Sequence, residues 1–331
     1  MTGESTMAAA LNAALHDALA EDDDVVLLGE DIGTLGGVFR VTDGLLQEFG
    51  PARVIDSPLA EAGIVGTAVG MAYRGLRPVC EIQFDGFVHP ALDQIIAQLS
   101  RLHYRTGGVV RMPLTIRVPC GGGIGAVEHH SESPEAYFAH TPGLRVVTAA
   151  DPQDACSTLR AAIACDDPVL FLEPKRRYWT KAEVDTGARA DLVSARVLRP
   201  GRDATLVAYG SMVTTALEAA TAAEDDGIDL EVIDLRSLSP IDRETVAASV
   251  RRTGRLVVTH EAQASVSVSA EVITAVVEDC FEQLEAPPER VTGYDTPYPP
   301  SALEDAFLPG LDRILDAVDR TLGRRSSREV A

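Results

Sequence analysis

Short, unbroken apolar runs alternate with helix-forming segments along almost the whole chain, and few folds satisfy that alternation. Met7 to Ala20 is an alanine-rich stretch for which Thr6 is the expected N-cap, and Val25-Val26-Leu27-Leu28-Gly29 follows it as a buried-type strand. Strand-like runs recur at Arg53–Ile55, Val79–Phe84, Leu114–Val118, Val146–Thr148 and Val169–Leu172, with helices expected between most of them, at Ala60–Tyr73 and Pro90–Thr106 for instance. Strands apolar on both faces must be covered on both faces, so the pattern predicts a parallel sheet wrapped by helices. Residues 174–201 break the rhythm: they are charge-rich, carry Pro174, Gly187, Pro200 and Gly201, and read as a linker with room for an added strand pair. Alternation resumes at Ala204–Tyr209, Leu230–Leu235, Leu256–Thr259 and Val291–Gly293, with helices expected from Met212, Pro240 and Ser267 and over Leu311–Leu322. The expected fold class is α/β, with two doubly wound domains over 1–180 and 202–325, a linker at 181–201 and a frayed tail at 326–331.

Charge and cysteine usage narrow the setting. A formal net charge of −21 opposes nucleic-acid binding, which needs a basic face to neutralise phosphates. The amino terminus lacks a basic stretch followed by an apolar core, so no secretory leader is expected. No window reaches the ~18 uninterrupted apolar residues of a membrane span. Five scattered cysteines without a CxxC pair point to reduced thiols and a cytoplasmic protein.

Three segments could carry chemistry. Glu61 lies just past the carboxyl end of an expected strand, where open parallel sheets place their ligands. The helix it opens contains Ala62, Gly63, Gly66, Thr67, Ala68 and Gly70, small residues that permit close approach of a backbone or a ligand. The plainer reading of Glu61 is an acidic residue favoured by the helix macrodipole. The second segment, Cys120 to His130, contains Gly121-x-Gly123-x-x-Ala126, but the following Glu128-His129-His130-Ser131-Glu132 cannot open the apolar helix of a dinucleotide site. His129, His130 and His140 match no zinc spacing, which leaves a glycine loop presenting a histidine, as local hydrogen-bonder or as catalyst. The third, Glu81 to Pro90, runs a strand into Phe84 and Phe87, which suit either core packing or an aromatic wall against a flat heterocycle.

The stretches LLGEDIGTLGGVFRVTDGL, RVIDSPLAEAGIVGTAVGMAYRGLRPVCEIQF, FVHPALDQI, HHSESPEAYFAHTPGLRVV, PVLFLEP, EVIDLRSLSPID, GRLVVTHE and RVTGYDTPYP occur in order from Thr6 to Leu322. Together they resemble the beta subunit of 2-oxoacid dehydrogenases, the decarboxylating component of the pyruvate and branched-chain complexes. The resemblance implies a thiamine-diphosphate-binding, pyrimidine-type domain followed by a transketolase C-terminal-like domain. It also implies an alpha2–beta2 heterotetramer and transfer of an acyl group to the lipoyl arm of an acyltransferase component. By resemblance the family's catalytic glutamate falls on Glu61, where a carboxyl bonded to the pyrimidine ring nitrogen shares its proton and shifts the ring toward its imino tautomer. The family's active-site histidine falls on His130, which handles protons in acyl transfer. Leu59, Gln83 and Phe87 fall on positions lining the aminopyrimidine pocket; Phe87 stands where the branched-chain branch tends to carry tyrosine. Some relatives hold potassium through backbone carbonyls at positions matching Leu114, Ala162, Ile163, Cys165 and Asp167, although Cys165 and Asp167 replace the usual aspartate and asparagine.

Thiamine enzymes grip magnesium and diphosphate with a Gly-Asp-Gly motif, and none occurs in this sequence. An alpha subunit is therefore expected to hold the magnesium and the diphosphate. The segments GGVFR, EIQF, SPEAYFAH, EPK and GYDTPYP lean toward a branched-chain 2-oxoacid, with pyruvate the alternative substrate. A non-catalytic assembly scaffold and a self-sufficient transketolase-type enzyme are the rival readings; intact Glu61 and His130 oppose the first, the missing diphosphate motif the second.

Overall fold

The structure, a computed structural model, describes residues 2–324; the tail expected at 326–331 lies outside the described residues. The strands are β1 (Thr2–Thr6), β2 (Val25–Gly29), β3 (Val54–Asp56), β4 (Arg77–Glu81), β5 (Thr115–Cys120), β6 (Arg145–Thr148) and β7 (Val169–Pro174), then β8 (Lys181–Asp185), β9 (Arg196–Arg199), β10 (Ala204–Ala208), β11 (Leu230–Asp234), β12 (Ser237–Ser239), β13 (Leu256–Gln263) and β14 (Glu289–Gly293). Among the described residues, they form a seven-stranded sheet in the order β12-β6-β7-β5-β4-β2-β3, a five-stranded sheet in the order β14-β13-β10-β11-β9, and the antiparallel pair β1-β8. Within the larger sheet only β12 is antiparallel to its neighbour, and within the smaller only β9.

Local chemistry explains the elements. Every residue of β2, β5, β7, β10 and β11 is buried, as strands covered on both faces require. Ala9 N donates to Thr6 Oγ1 at 3.2 Å and caps the Met7–Glu21 helix, whose alanines pack closely on the Pro152–Ala164 helix. That second helix starts with Asp151 accepting from Asp154 N at 2.7 Å and with Pro152 in its first turn. One apolar cluster runs from Leu170 and Leu172 in the large sheet to Val207, Ile233 and Val258 in the small one, so the two domains share a core.

Three details differ from expectation. The span expected to form one helix at Pro90–Thr106 is a 3-10 turn at Asp85–Ala91, a π-helical stretch at Asp93–Leu99 and a short α-helix at Ser100–Arg105. Pro90, without an N–H, sits inside the first of these and interrupts a regular ladder. The helix expected from Pro240 begins at Arg243, because Asp242 caps it by accepting from Thr245 N at 3.1 Å; strand β12 ends at Ser239, just before Pro240. In the expected linker, β8 and β9 do not pair with each other: β8 joins β1 and β9 joins β11.

The large sheet fixes where a ligand can sit. From β2 the chain goes to β3 on one side, then returns to β4 on the other, and such a reversal opens a crevice at the carboxyl ends of β2 and β4. Glu30 and Asp31 follow β2 there, and Gln83 to Phe87 follow β4.

Candidate active site

Glu61 opens the Glu61–Tyr73 helix directly after the β3 turn, half-buried, with no hydrogen-bond or ion-pair partner among the described residues. Its charge reaches Glu30: burial pushes the Glu30 carboxyl up, with Asp31 and Glu61 adding to the effect. Leu59 is 67% exposed in the turn before Glu61, an apolar side chain without a cover. Gln83 is held from the opposite strand end, its Nε2 donating to Glu30 O and to Asp31 Oδ2 at 3.4 Å each. A half-buried unpaired carboxyl, an uncovered leucine, an anchored amide and an aromatic ring in one crevice are a donor and wall set that fits an aminopyrimidine.

The aromatic end of the crevice is built around His130. Its ring stacks on Phe84 at 4.0 Å and 13°, and meets Phe87 edge to face at 5.0 Å. His130 Nδ1 lies 3.0 Å from His129 O. A carbonyl can only accept, so Nδ1 carries the proton and the lone pair is on Nε2, ready to take a proton. The histidine loop reaches Phe84 because Gly86 lies under it; a Cβ on Gly86 would stand 2.3 Å from His129 O. His129 is exposed. The structure thus gathers Glu61, Leu59, Gln83, Phe87 and His130 around neighbouring strand ends, linked through Glu30 and Phe84.

Beneath Phe84 lies a pair that the sequence reading missed. Lys175 Nζ bonds Asp85 Oδ1 at 2.5 Å with both side chains fully buried, and the ammonium sits 5.8 Å from the Phe84 ring centroid. Burial pushes the Asp85 carboxyl up to about 7 against the pull of Lys175. The folded value then lies above the ordinary 3.8, so this group's contribution to stability is fully present below about pH 4 and is lost as pH rises through 7. The double change Asp85→Asn with Lys175→Met should flatten the fall in urea-unfolding free energy between pH 5 and 8. A slope equal to the parent's would rule this linkage out. Two residues ninety positions apart with no local pattern gave no sequence signal for the pair.

The carbonyls considered for potassium have internal donors. Leu114 O accepts from Val169 N at 2.9 Å, and Ala162 O from Cys165 N at 3.2 Å. Arg77 Nη1 lies 3.4 Å from Ile163 O and 3.2 Å from Cys165 O, while its Nη2 pairs with Asp166 at 2.8 Å. The Asp167 carboxylate is engaged by Arg145 at 2.9 Å. The cation that this structure puts against Ile163 and Cys165 is the Arg77 guanidinium.

Residues 4–180 match the pyrimidine binding domain of transketolase and residues 194–314 its C-terminal domain. The chain is 58% identical to a pyruvate dehydrogenase E1 component subunit beta of Leifsonia xyli, over 96% of this chain and 94% of that one. It is 53% identical to a 3-methyl-2-oxobutanoate dehydrogenase subunit beta of Mycobacterium tuberculosis, over 97% and 93%. Among solved structures, one described as a split gene transketolase, inactive beta4 tetramer, superposes with a TM-score of 0.79 at 25% identity, covering 98% of this chain and all of that one. No helix among the described residues is long and apolar enough to cross a membrane. With two α/β domains of this kind and relatives matched end to end, this chain belongs to the family of E1 beta subunits of 2-oxoacid dehydrogenases, thiamine-diphosphate-dependent oxidoreductases.

Proposed function

We propose that this chain supplies the pyrimidine half of a thiamine diphosphate site completed by an alpha subunit in an alpha2–beta2 enzyme. The enzyme decarboxylates a branched-chain 2-oxoacid and passes the acyl group to the lipoyl arm of an acyltransferase component. The observation that carries this reading is Glu61, half-buried at the start of the helix after β3 and without a hydrogen-bond or ion-pair partner among the described residues. Glu61 holds the proton shared with the pyrimidine ring nitrogen, and Leu59 and Phe87 pack against the ring. Gln83, its nitrogen committed to Glu30 and Asp31, keeps its amide oxygen as an acceptor. His130 takes and returns a proton at Nε2 during acyl transfer, while Phe84 and Phe87 hold its ring and limit water. When bound, thiamine diphosphate supplies the electron sink for loss of carbon dioxide. Magnesium and diphosphate belong to the alpha subunit in this reading, since the chain has no Gly-Asp-Gly motif.

The substrate divides two readings. Segments such as GGVFR, EIQF and GYDTPYP favour the branched-chain acid, whereas the 58% identical relative is named for pyruvate. Co-purified with its alpha subunit and assayed over a panel of 2-oxoacids, the enzyme should show a higher kcat/KM for 3-methyl-2-oxobutanoate than for pyruvate. The reverse ranking assigns it to pyruvate. The chain alone should be inactive, in keeping with the solved relative described as an inactive beta4 tetramer.

A further inference from the structure

The loop from Gly121 to Pro134 carries His130 and belongs to the first domain, yet it is gripped from the second. Gly122 N donates to Glu261 Oε2 at 3.0 Å. Gly123 N donates to Glu304 Oε1 at 2.8 Å and to the Tyr298 hydroxyl at 3.2 Å, and Gly125 N donates to Glu304 Oε2 at 3.0 Å. Tyr298 in turn donates to Glu304 Oε1 at 2.6 Å. One carboxylate, 8% exposed, therefore takes two alternate amides of the loop and one hydroxyl, each oxygen being used. Among the described residues it has no cationic partner, so these donors are what offset its burial. The glycines make the approach possible: a Cβ on Gly122 would stand 1.9 Å from the Tyr298 hydroxyl, and Gly123 and Gly125 have φ of +83° and +69°. The far end of the loop is tied to the same domain, where Tyr209 donates to Glu135 Oε1 at 2.7 Å. Gly121 N also donates to Glu132 O at 2.8 Å, which closes the loop on itself across His130.

We propose that Glu304, seated by Tyr298, is a positioning residue for His130, through which the second domain sets the geometry of acyl transfer and leaves decarboxylation largely alone. This rests on the role proposed above for His130. Among the described residues, the hydrogen bonds of Glu304 go to Gly123, Gly125 and Tyr298, the first two of which open the loop bearing His130, and none goes to Glu61, Gln83 or Phe87.

The test uses the assembled alpha–beta enzyme with Glu304→Ala, Glu304→Gln and the milder Tyr298→Phe, beside His130→Ala. Hydrogen exchange of the 121–131 segment should rise at least ~tenfold in Glu304→Ala, as expected for losing two amide bonds to a charged acceptor, and less in the other two. Acylation of a lipoyl domain should slow by about the same factor, while decarboxylation read with an artificial electron acceptor, and the KM for the 2-oxoacid, change by less than about twofold. Unchanged exchange in both Glu304→Ala and Tyr298→Phe overturns the proposal. So does faster exchange with lipoyl acylation intact, provided His130→Ala is impaired. If His130→Ala also acylates normally, the role of His130 fails, and the exchange data still decide whether Glu304 holds the loop.

Discussion

Glu61→Gln should lower kcat of the assembled enzyme by about 10²- to 10⁴-fold, the range in which a positioned proton-transfer group contributes. Glutamine keeps the shape and one hydrogen bond but has no proton to share with the ring nitrogen. Among the described residues Glu61 has no hydrogen-bond or ion-pair partner to lose, so the change should leave folding intact. Cofactor affinity should weaken far less than turnover, because Leu59, Gln83 and Phe87 still line the pocket. The measurements are steady-state kcat with a lipoyl domain as acceptor and a thiamine diphosphate titration. Turnover equal to the parent's would instead favour an assembly scaffold.

Arg117→Met should cost about 3–5 kcal/mol of stability, the usual result of stranding buried charges. Arg117 is 1% exposed and sits between two buried carboxylates. It bonds Glu81 Oε2 at 2.6 Å, and Glu173 through both Nε at 2.7 Å and Nη2 at 2.9 Å. Tyr178 adds a bond to Glu173 Oε2 at 2.6 Å. Burial alone would pull the guanidinium down, but Glu173 and Glu81 outweigh it and hold it above its ordinary value. Burial pushes the Glu81 carboxyl up, so without Arg117 this group would rather be neutral than charged. The melting temperature of the assembled enzyme should fall by roughly 4–7 °C. Adding Glu81→Gln and Glu173→Gln should recover most of it, since a neutral buried set needs no counter-charge. A single variant as stable as the parent would mean that water or rearrangement solvates the carboxylates.

The parts of the fold that the sequence announced are those whose signal is local. Strands β2, β5, β7 and β10 are contiguous apolar runs because both faces are covered. Strands β1, with sequence TGEST, and β12, with sequence SLS, had no such signal: each is short, largely polar, and defined by a partner strand far along the chain. The same divide runs through the site. Glu61 was visible from its place after a strand and before a small-residue helix, and His130 from its glycine loop. Their significance together came from the resemblance, since no spacing links residues 61 and 130. Glu304 and Tyr298 lie more than 170 positions from the glycines they bind, a distance over which only the folded chain brings them together.

Strand β12 has a consequence for how the chain can be cut. Ser237–Ser239 comes from the second domain but completes the first domain's sheet, lying antiparallel along β6. A fragment truncated after residue 201 would lose this borrowed strand and present the open rim of β6, with Val146 and Val147 buried in the intact chain. Bare sheet rims recruit other strands, so such a fragment should self-associate through that rim. The two halves are thus obliged to travel together: the second is the first one's safeguard against aggregation as well as its neighbour.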